Sequence, residues 1–176
     1  MNLLDRYKVM PILAWADNAG NESAFINMRY VHHATIIVQF GTATEPSPSD
    51  SPAEYPRLKV YSSPATRLDS PATGSATAIT GFKAWRTAAN IGSANADVFS
   101  VEVTAATDGD YIDMTTTANF ATRVLIIEVP ASSLADGHRL LSIKFEDDAS
   151  PFENGFNCNA VAILATREAP GGTFLA

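Results

Sequence analysis

An all-β fold, an antiparallel β-sandwich with long loops and extended termini, of which a jelly roll is one form, is predicted by three features of this chain. The first is a set of short apolar runs, Arg123-Val-Leu-Ile-Ile-Glu-Val129, Leu140-Leu-Ser-Ile-Lys-Phe-Glu146 and Cys158-Asn-Ala-Val-Ala-Ile-Leu-Ala165, separated by segments that hold Pro130, Gly137, Pro151 and Gly155. Apolar runs punctuated by turn residues are strands. The second is their recurrence: set two Pro-rich loops aside and about nine such runs follow one another at intervals of about 8–12 residues, the spacing of sandwiches and barrels. The third is composition, with Ala, Thr and Ser abundant and Lys scarce, which suits sheets and loops better than long helices.

Taken in order, residues 1–8, Met1-Asn-Leu-Leu-Asp-Arg-Tyr-Lys8, read as an N-terminal arm whose apolar handles Leu3, Leu4 and Tyr7 are expected to dock on a neighbour. A single domain is expected over 9–168. In Val9-Met-Pro-Ile-Leu-Ala-Trp15, Pro11 cannot donate to a ladder, which puts this strand at an edge or the proline at a strand start. Asp17 to Gly20 supplies a turn. Two strands follow, Ala24 to Tyr30 and Ala34 to Phe40, with Ile36, Val38 and Phe40 inward and with His32 and His33 between the two.

Gly41 to Pro56 is a Pro/Ser/Thr excursion, and Ser63 to Ser75 repeats its chemistry. Loops of this kind serve either as interaction segments or as linker-like padding. Between them Arg57 to Ser62 is a strand with Leu58 and Val60 inward. Ile79 to Thr87 is another, its alternation broken between Phe82 and Trp85 as by a bulge. After a turn over Asn90 to Asn95, Asp97 to Thr104 alternates regularly, placing Phe99, Val101 and Val103 inward. Asp108-Gly-Asp-Tyr111 then turns into the short strand Tyr111 to Met114.

Pro130 to Gly137 has the signature of one helical turn, with Pro at its first position and Gly at its exit. In the strand after it, Leu141, Ile143 and Phe145 alternate with Ser142, Lys144 and Glu146, giving one buried and one wet face. The runs on either side, 123–129 and 158–165, are apolar on both faces, as in strands at the centre of a sheet or under a second layer. Residues 169–176 read as a flexible tail, with Pro170, Gly171 and Gly172 ahead of Phe174 and Leu175, which are free to dock elsewhere.

Length, composition and charge exclude several classes. The chain has 176 residues, 46% apolar and 18% charged, enough to bury one real core and far from the composition of a disordered chain. A net charge of −7 argues against binding along nucleic acid, where phosphates are neutralised by clustered Lys and Arg. No apolar run approaches the roughly 18 residues of a membrane helix, and the N-terminus lacks the apolar core of a secretory signal. A soluble protein made in the cytosol is expected, and the Asn21-Glu-Ser23 sequon is read as an idle match.

Chemistry is sparse. Cys158, the single cysteine, stands in an apolar run and is expected to be a buried inert thiol, with no intrachain disulfide possible. Adjacent His32 and His33 on an extended chain point to opposite faces and cannot readily ligate one metal. Asp108, Asp110 and Asp113, and Glu146, Asp147, Asp148 and Glu153, are weighed as hard-cation ligands, but neither cluster has an EF-hand's length or glycine placement, and solvated turn carboxylates are the plainer reading. The nucleophile elbow, the phosphate-binding loop, the dinucleotide-binding glycines and the metalloprotease motif are all missing, so no catalytic residue, metal or cofactor is assigned and an enzyme is not expected. Trp15, Tyr55, Tyr61 and Trp85 are candidates for a glycan platform, set against packing in the core or at an interface.

At Tyr111-Ile-Asp-Met114, Val124-Leu-Ile-Ile-Glu-Val-Pro-Ala-Ser-Ser-Leu134 and Gly155-Phe-Asn-Cys-Asn-Ala-Val-Ala-Ile-Leu164, closing on Thr166-Arg-Glu168, the chain resembles small auxiliary capsid proteins of tailed bacteriophages, the decoration or cement proteins. The resemblance covers approximately Ala76 to Glu168 and lies in strand pattern and turn order. It implies a structural virion protein on the capsid surface, bound to the major capsid protein as a homo-oligomer, a trimer or dimer, that ties coat subunits together without nucleic acid or membrane. The alternative is a glycan- or receptor-binding module of a phage fibre or tail.

Overall fold

The computed structural model describes residues 7–17, 22–43, 57–64, 76–80, 82–99, 101–103, 111–114, 119–146 and 156–166, with 15–17, 43, 101 and 156 as backbone alone. Eleven strands are present among them: β1 (Tyr7–Asp17), β2 (Ile26–Asn27), β3 (Val31–Ala43), β4 (Arg57–Ser63), β5 (Thr77–Ala78), β6 (Lys83–Arg86), β7 (Val101–Glu102), β8 (Tyr111–Asp113), β9 (Val124–Pro130), β10 (Leu140–Glu146) and β11 (Phe156–Thr166). A 3₁₀ turn spans Ala131–Ser133.

Every pairing is antiparallel. One sheet has the order β1-β11-β3-β9-β6-β7; the other has β2-β10-β4-β5, with β8 pairing β4 beside β5. With β5, β6 and β7 left out, the strands stand first-eighth-third-sixth in one sheet and second-seventh-fourth-fifth in the other. The two sheets share one core. Ile36, Val38 and Phe40 from β3, Leu125, Ile127 and Val129 from β9, and Leu141, Ile143 and Phe145 from β10 are all buried in it, as their period-2 spacing requires. Phe40 joins the layers, with its ring edge-to-face on Phe145 at 6.3 Å and on Phe120 at 5.9 Å.

Pro11 lies on the edge strand β1, opposite Val161, which is where a residue without an N–H is tolerated. The pairing of β1 slips between Pro11 and Leu13 and again before Ala16, and Ala24 N donates to Ile12 O at 2.7 Å on the open side. The remaining edge strands are two or three residues long. Proline, irregularity and shortness all blunt an edge against strand addition.

Several expectations are corrected. β1 begins at Tyr7, inside the stretch read as an arm. The strand expected over 24–30 shrinks to β2, because the chain turns at Arg29 and Tyr30. His32 and His33 lie within β3 rather than before it, at a register shift in its pairing with β11. The strand expected over 79–87 shortens to β6 among the described residues, and β5, just before that stretch, belongs to the other sheet. β6 and β9 pair without a slip; Phe82 is buried and Trp85 faces outward, so the broken alternation marks opposite faces rather than a bulge.

Among the described residues of the run 97–104 the regular strand is β7 alone, extended by the backbone bonds Val103 N to Ala84 O and Ala88 N to Val98 O, and Phe99, expected inward, is 37% exposed. β7 is the outermost strand of the wider sheet, where alternation still sets the two sides but no longer guarantees cover. Ser142, expected on the wet face, is buried. The segment at Glu22 and Ser23 lies against that strand, with Glu22 Oε1 accepting from Ser142 Oγ at 2.9 Å. Pro130 flanks the 3₁₀ turn instead of opening it, and Gly137 beyond it adopts φ +77°.

Candidate functional site

The outer face of the six-stranded sheet follows from register. Opposite Pro11 stands Val161, opposite Val161 stands Ile37, opposite Ile37 stands Ile126, and opposite Ile126 stands Trp85. Residues directly opposite in a ladder share a face, so an apolar row crosses five strands. Ile36, Val38, Leu125 and Ile127, the sequence neighbours of its central members, point into the core, which sends Ile37 and Ile126 outward, where both are half-buried. Beside the row Val9 pairs with Ile163, and Val9 is 42% exposed.

The second sheet covers only the inner face of this layer, through the Phe40–Phe145 contact. Along one flank of the row a polar group gathers: Glu128 accepts from Thr35 Oγ1 at 3.2 Å and its other carboxylate oxygen contacts His33 Nε2, with Lys83 opposite on β6. This flank carries both a carboxylate and an ammonium group.

The outer side of the other sheet is of a different kind. Glu146 takes Lys144 Nζ at 2.8 Å, Lys59 Nζ at 3.5 Å and the Tyr61 hydroxyl at 2.8 Å. Arg57 sits over the Tyr111 ring, 4.4 Å from its centroid. Burial pushes the Glu146 carboxyl up, but hydrogen bonds from Lys144 and Tyr61 and the charges of Lys144 and Lys59 outweigh it and hold the group below its ordinary range. A charged, internally paired face of this type is content in water.

The residues singled out in the sequence distribute as follows. Tyr7 opens β1 opposite Ala165 and is half-buried; Leu3, Leu4, Phe174 and Leu175 lie outside the described residues, as do Tyr55, Asp108, Asp110, Asp147, Asp148 and Glu153. His32 is exposed while His33 meets Glu128. Cys158 is fully buried on the inner side of β11. Asp113 is exposed on β8, and among the described residues no three His, Cys, Asp or Glu converge as metal ligands. Of the ring candidates, Trp85 lies in the apolar row and Tyr61 in the charged face; the Trp15 side chain is outside the described set.

One pair resembles catalytic chemistry. Ser62 Oγ lies 2.8 Å from His138 Nδ1 and 3.4 Å from Thr77 O. Ser62 is only 1% exposed, and no described carboxylate meets His138, so the orienting acid of a nucleophilic triad is not supplied. The contact fastens the turn after Gly137 to β4.

Comparisons with protein-family models, characterised proteins and solved structures find no match for this chain. Its own face is the strongest functional signal. That signal was present in the sequence as runs apolar on both sides, but only the register shows that their outward halves form one row.

Proposed function

We propose that this chain is a structural virion protein, a decoration or cement protein that binds the outer surface of a phage head and stabilises contacts between coat subunits, with the outer face of the six-stranded sheet as its contact surface. The observation that carries this reading is the row Pro11, Val161, Ile37, Ile126 and Trp85, set against the charged face on the opposite side of the molecule. Contiguous apolar surface on a protein exterior marks interaction sites. Face-to-face packing suits this row, since the edges among the described residues are short or irregular, which disfavours strand addition.

The strand order is compatible with the same reading, since with β5, β6 and β7 set aside it follows the two-Greek-key sequence of a jelly roll, an architecture used by viral capsid and lectin domains. Fold alone does not assign a job; the resemblance in 76–168 points to the phage head. Among the described residues no helix is long and apolar enough to cross a membrane. A homo-oligomer, dimer or trimer, on a repeated lattice needs only modest affinity per contact, since linked contacts multiply.

A second reading is favoured by one observation: Trp85, half-buried on the same face, offers a ring for a sugar. Light scattering on the purified protein and co-sedimentation with heads of a candidate phage separate the two. A defined oligomer that pellets at saturating stoichiometry supports the head-binding role. A monomer left in the supernatant that binds on a glycan array overturns it in favour of a glycan-binding module.

A further inference from the structure

In a chain of net charge −7, two arginines stand together with no carboxylate partner among the described residues. Arg86 ends β6 opposite Leu125 of β9, and Arg123 leads into β9 two residues before Leu125. Both therefore sit at the same end of the six-stranded sheet, and both are half-buried. Arg123 Nη1 donates to Thr87 O at 3.0 Å and to Ala88 O at 2.6 Å, which fixes its guanidinium against the backbone leaving Arg86. The Thr87 hydroxyl in turn accepts from Val124 N at 3.3 Å.

The rest of the pair is unsatisfied. Arg123 Nε is buried with no hydrogen-bond partner among the described residues. The Arg86 guanidinium lies over the Phe120 ring, 6.0 Å from its centroid, and its side chain makes no hydrogen bond or ion pair among the described residues. Asp97 and Glu102, exposed on the adjoining hairpin, pair with neither arginine. Burial first, and the neighbouring Arg123 charge second, hold Arg86 below its ordinary range, so the two cations lie close enough to oppose each other. Buried donors in folded proteins are nearly always bonded, and the exceptions call for an explanation such as an ion.

We propose that Arg86 and Arg123 form an oxyanion-binding site, holding a phosphate or carboxylate group between their guanidinium groups. The Arg86 fork matches such a group by bidentate hydrogen bonds, Arg123, whose Nη1 is held by the backbone and whose Nε is buried, adds its Nη2 and its charge, and a bound negative charge turns their mutual repulsion into shared attraction. The carbonyls of Thr87 and Ala88 hold one fork and the Phe120 ring supports the other. The site lies at the end of the sheet, apart from the apolar row, and its existence does not depend on the head-binding role.

The test uses the full chain in inorganic phosphate, in glutarate and in chloride at matched ionic strength, following thermal melting and calorimetric titration. The melting temperature should rise in phosphate or glutarate beyond its value in chloride. Arg86→Gln should weaken the titrated affinity at least tenfold, while in chloride it should melt no lower than the parent, because one of two opposed charges is gone. Arg123→Lys, which keeps the charge but loses the fork, should give an intermediate response. A response to phosphate alone identifies a free phosphate-class ligand, and a response to glutarate alone identifies a carboxylate such as a partner's side chain; both uphold the site. Equal melting in all three salts, or an Arg86→Gln protein that titrates like the parent, would overturn it.

Discussion

Trp85 and Ile126 stand directly opposite each other on β6 and β9, on the side of the six-stranded sheet that the second sheet does not cover. Both are large and apolar, and Ile37, Val161 and Pro11 continue their line to the far edge. A sheet that needed burial on one side only would alternate apolar with polar, as β10 does from Ile143 onward, where Lys144 and Glu146 face outward. β9 and β11 instead keep Ile126, Val161 and Ile163 outside. Such a surface is what the proposed contact with a phage head requires.

The core prediction concerns Phe40. Its ring is a contact between the layers, touching Phe120 on one side and Phe145 on the other. Phe40→Ala should lower unfolding free energy by about 3–5 kcal/mol through lost burial and the cavity left behind. Urea denaturation of the two proteins checks this, and a loss below about 1 kcal/mol would mean that the layers are held elsewhere.

Ser23 extends the ladder of β10 with its side chain. Ile143 N donates to Ser23 Oγ at 3.0 Å in a buried bond, and Ser23 N donates back to Ile143 O at 2.9 Å. Ser23→Ala strands a buried backbone N–H and should cost about 1–3 kcal/mol. Ser142→Ala, which frees the half-buried and hydratable Glu22 carboxylate, should cost less, within about 1 kcal/mol. The same urea titration ranks the two; equal losses would contradict the account.

Much of the fold was legible and part of it was not, for physical reasons. Ile36, Val38 and Phe40, and likewise Leu141, Ile143 and Phe145, are buried where period 2 puts them. Alternation records the two sides of a strand, however, and is silent on what lies across from either side. Phe99 alternates as cleanly as Phe145 yet is exposed, because β7 is the outermost strand of its sheet. Ser142 is buried because a segment about 120 residues earlier in the chain lies on it. The apolar row needed the register of five strands, which no local window contains. The Arg86 and Arg123 pair likewise depends on β6 lying beside β9.

Glu146 sets an acid limit on stability. Its pKa is lowered in the folded protein despite the opposing effect of burial, through Lys144, Tyr61 and Lys59. A carboxylate held more acidic in the folded state than in the unfolded one contributes stability above its ordinary value of 4.5, and that contribution is lost as pH falls through the lower folded value. The side chain is partly solvated, so the contribution is about 1 kcal/mol or less. Glu146→Gln should therefore be less stable than the parent near neutrality and converge with it in acid. Urea midpoints measured at several pH values check this, and a gap that widens on acidification would reverse the sign.

The contact surface is tested most directly by binding to phage heads with Trp85→Ala, Ile126→Lys and a control on the opposite face, Lys144→Ala, each first shown to be folded by its urea midpoint. The account predicts that the first two lose at least tenfold in affinity on co-sedimentation, about 1.4 kcal/mol or more, while Lys144→Ala saturates the heads as the parent does. Undiminished binding by Trp85→Ala and Ile126→Lys, or a loss confined to Lys144→Ala, would contradict it.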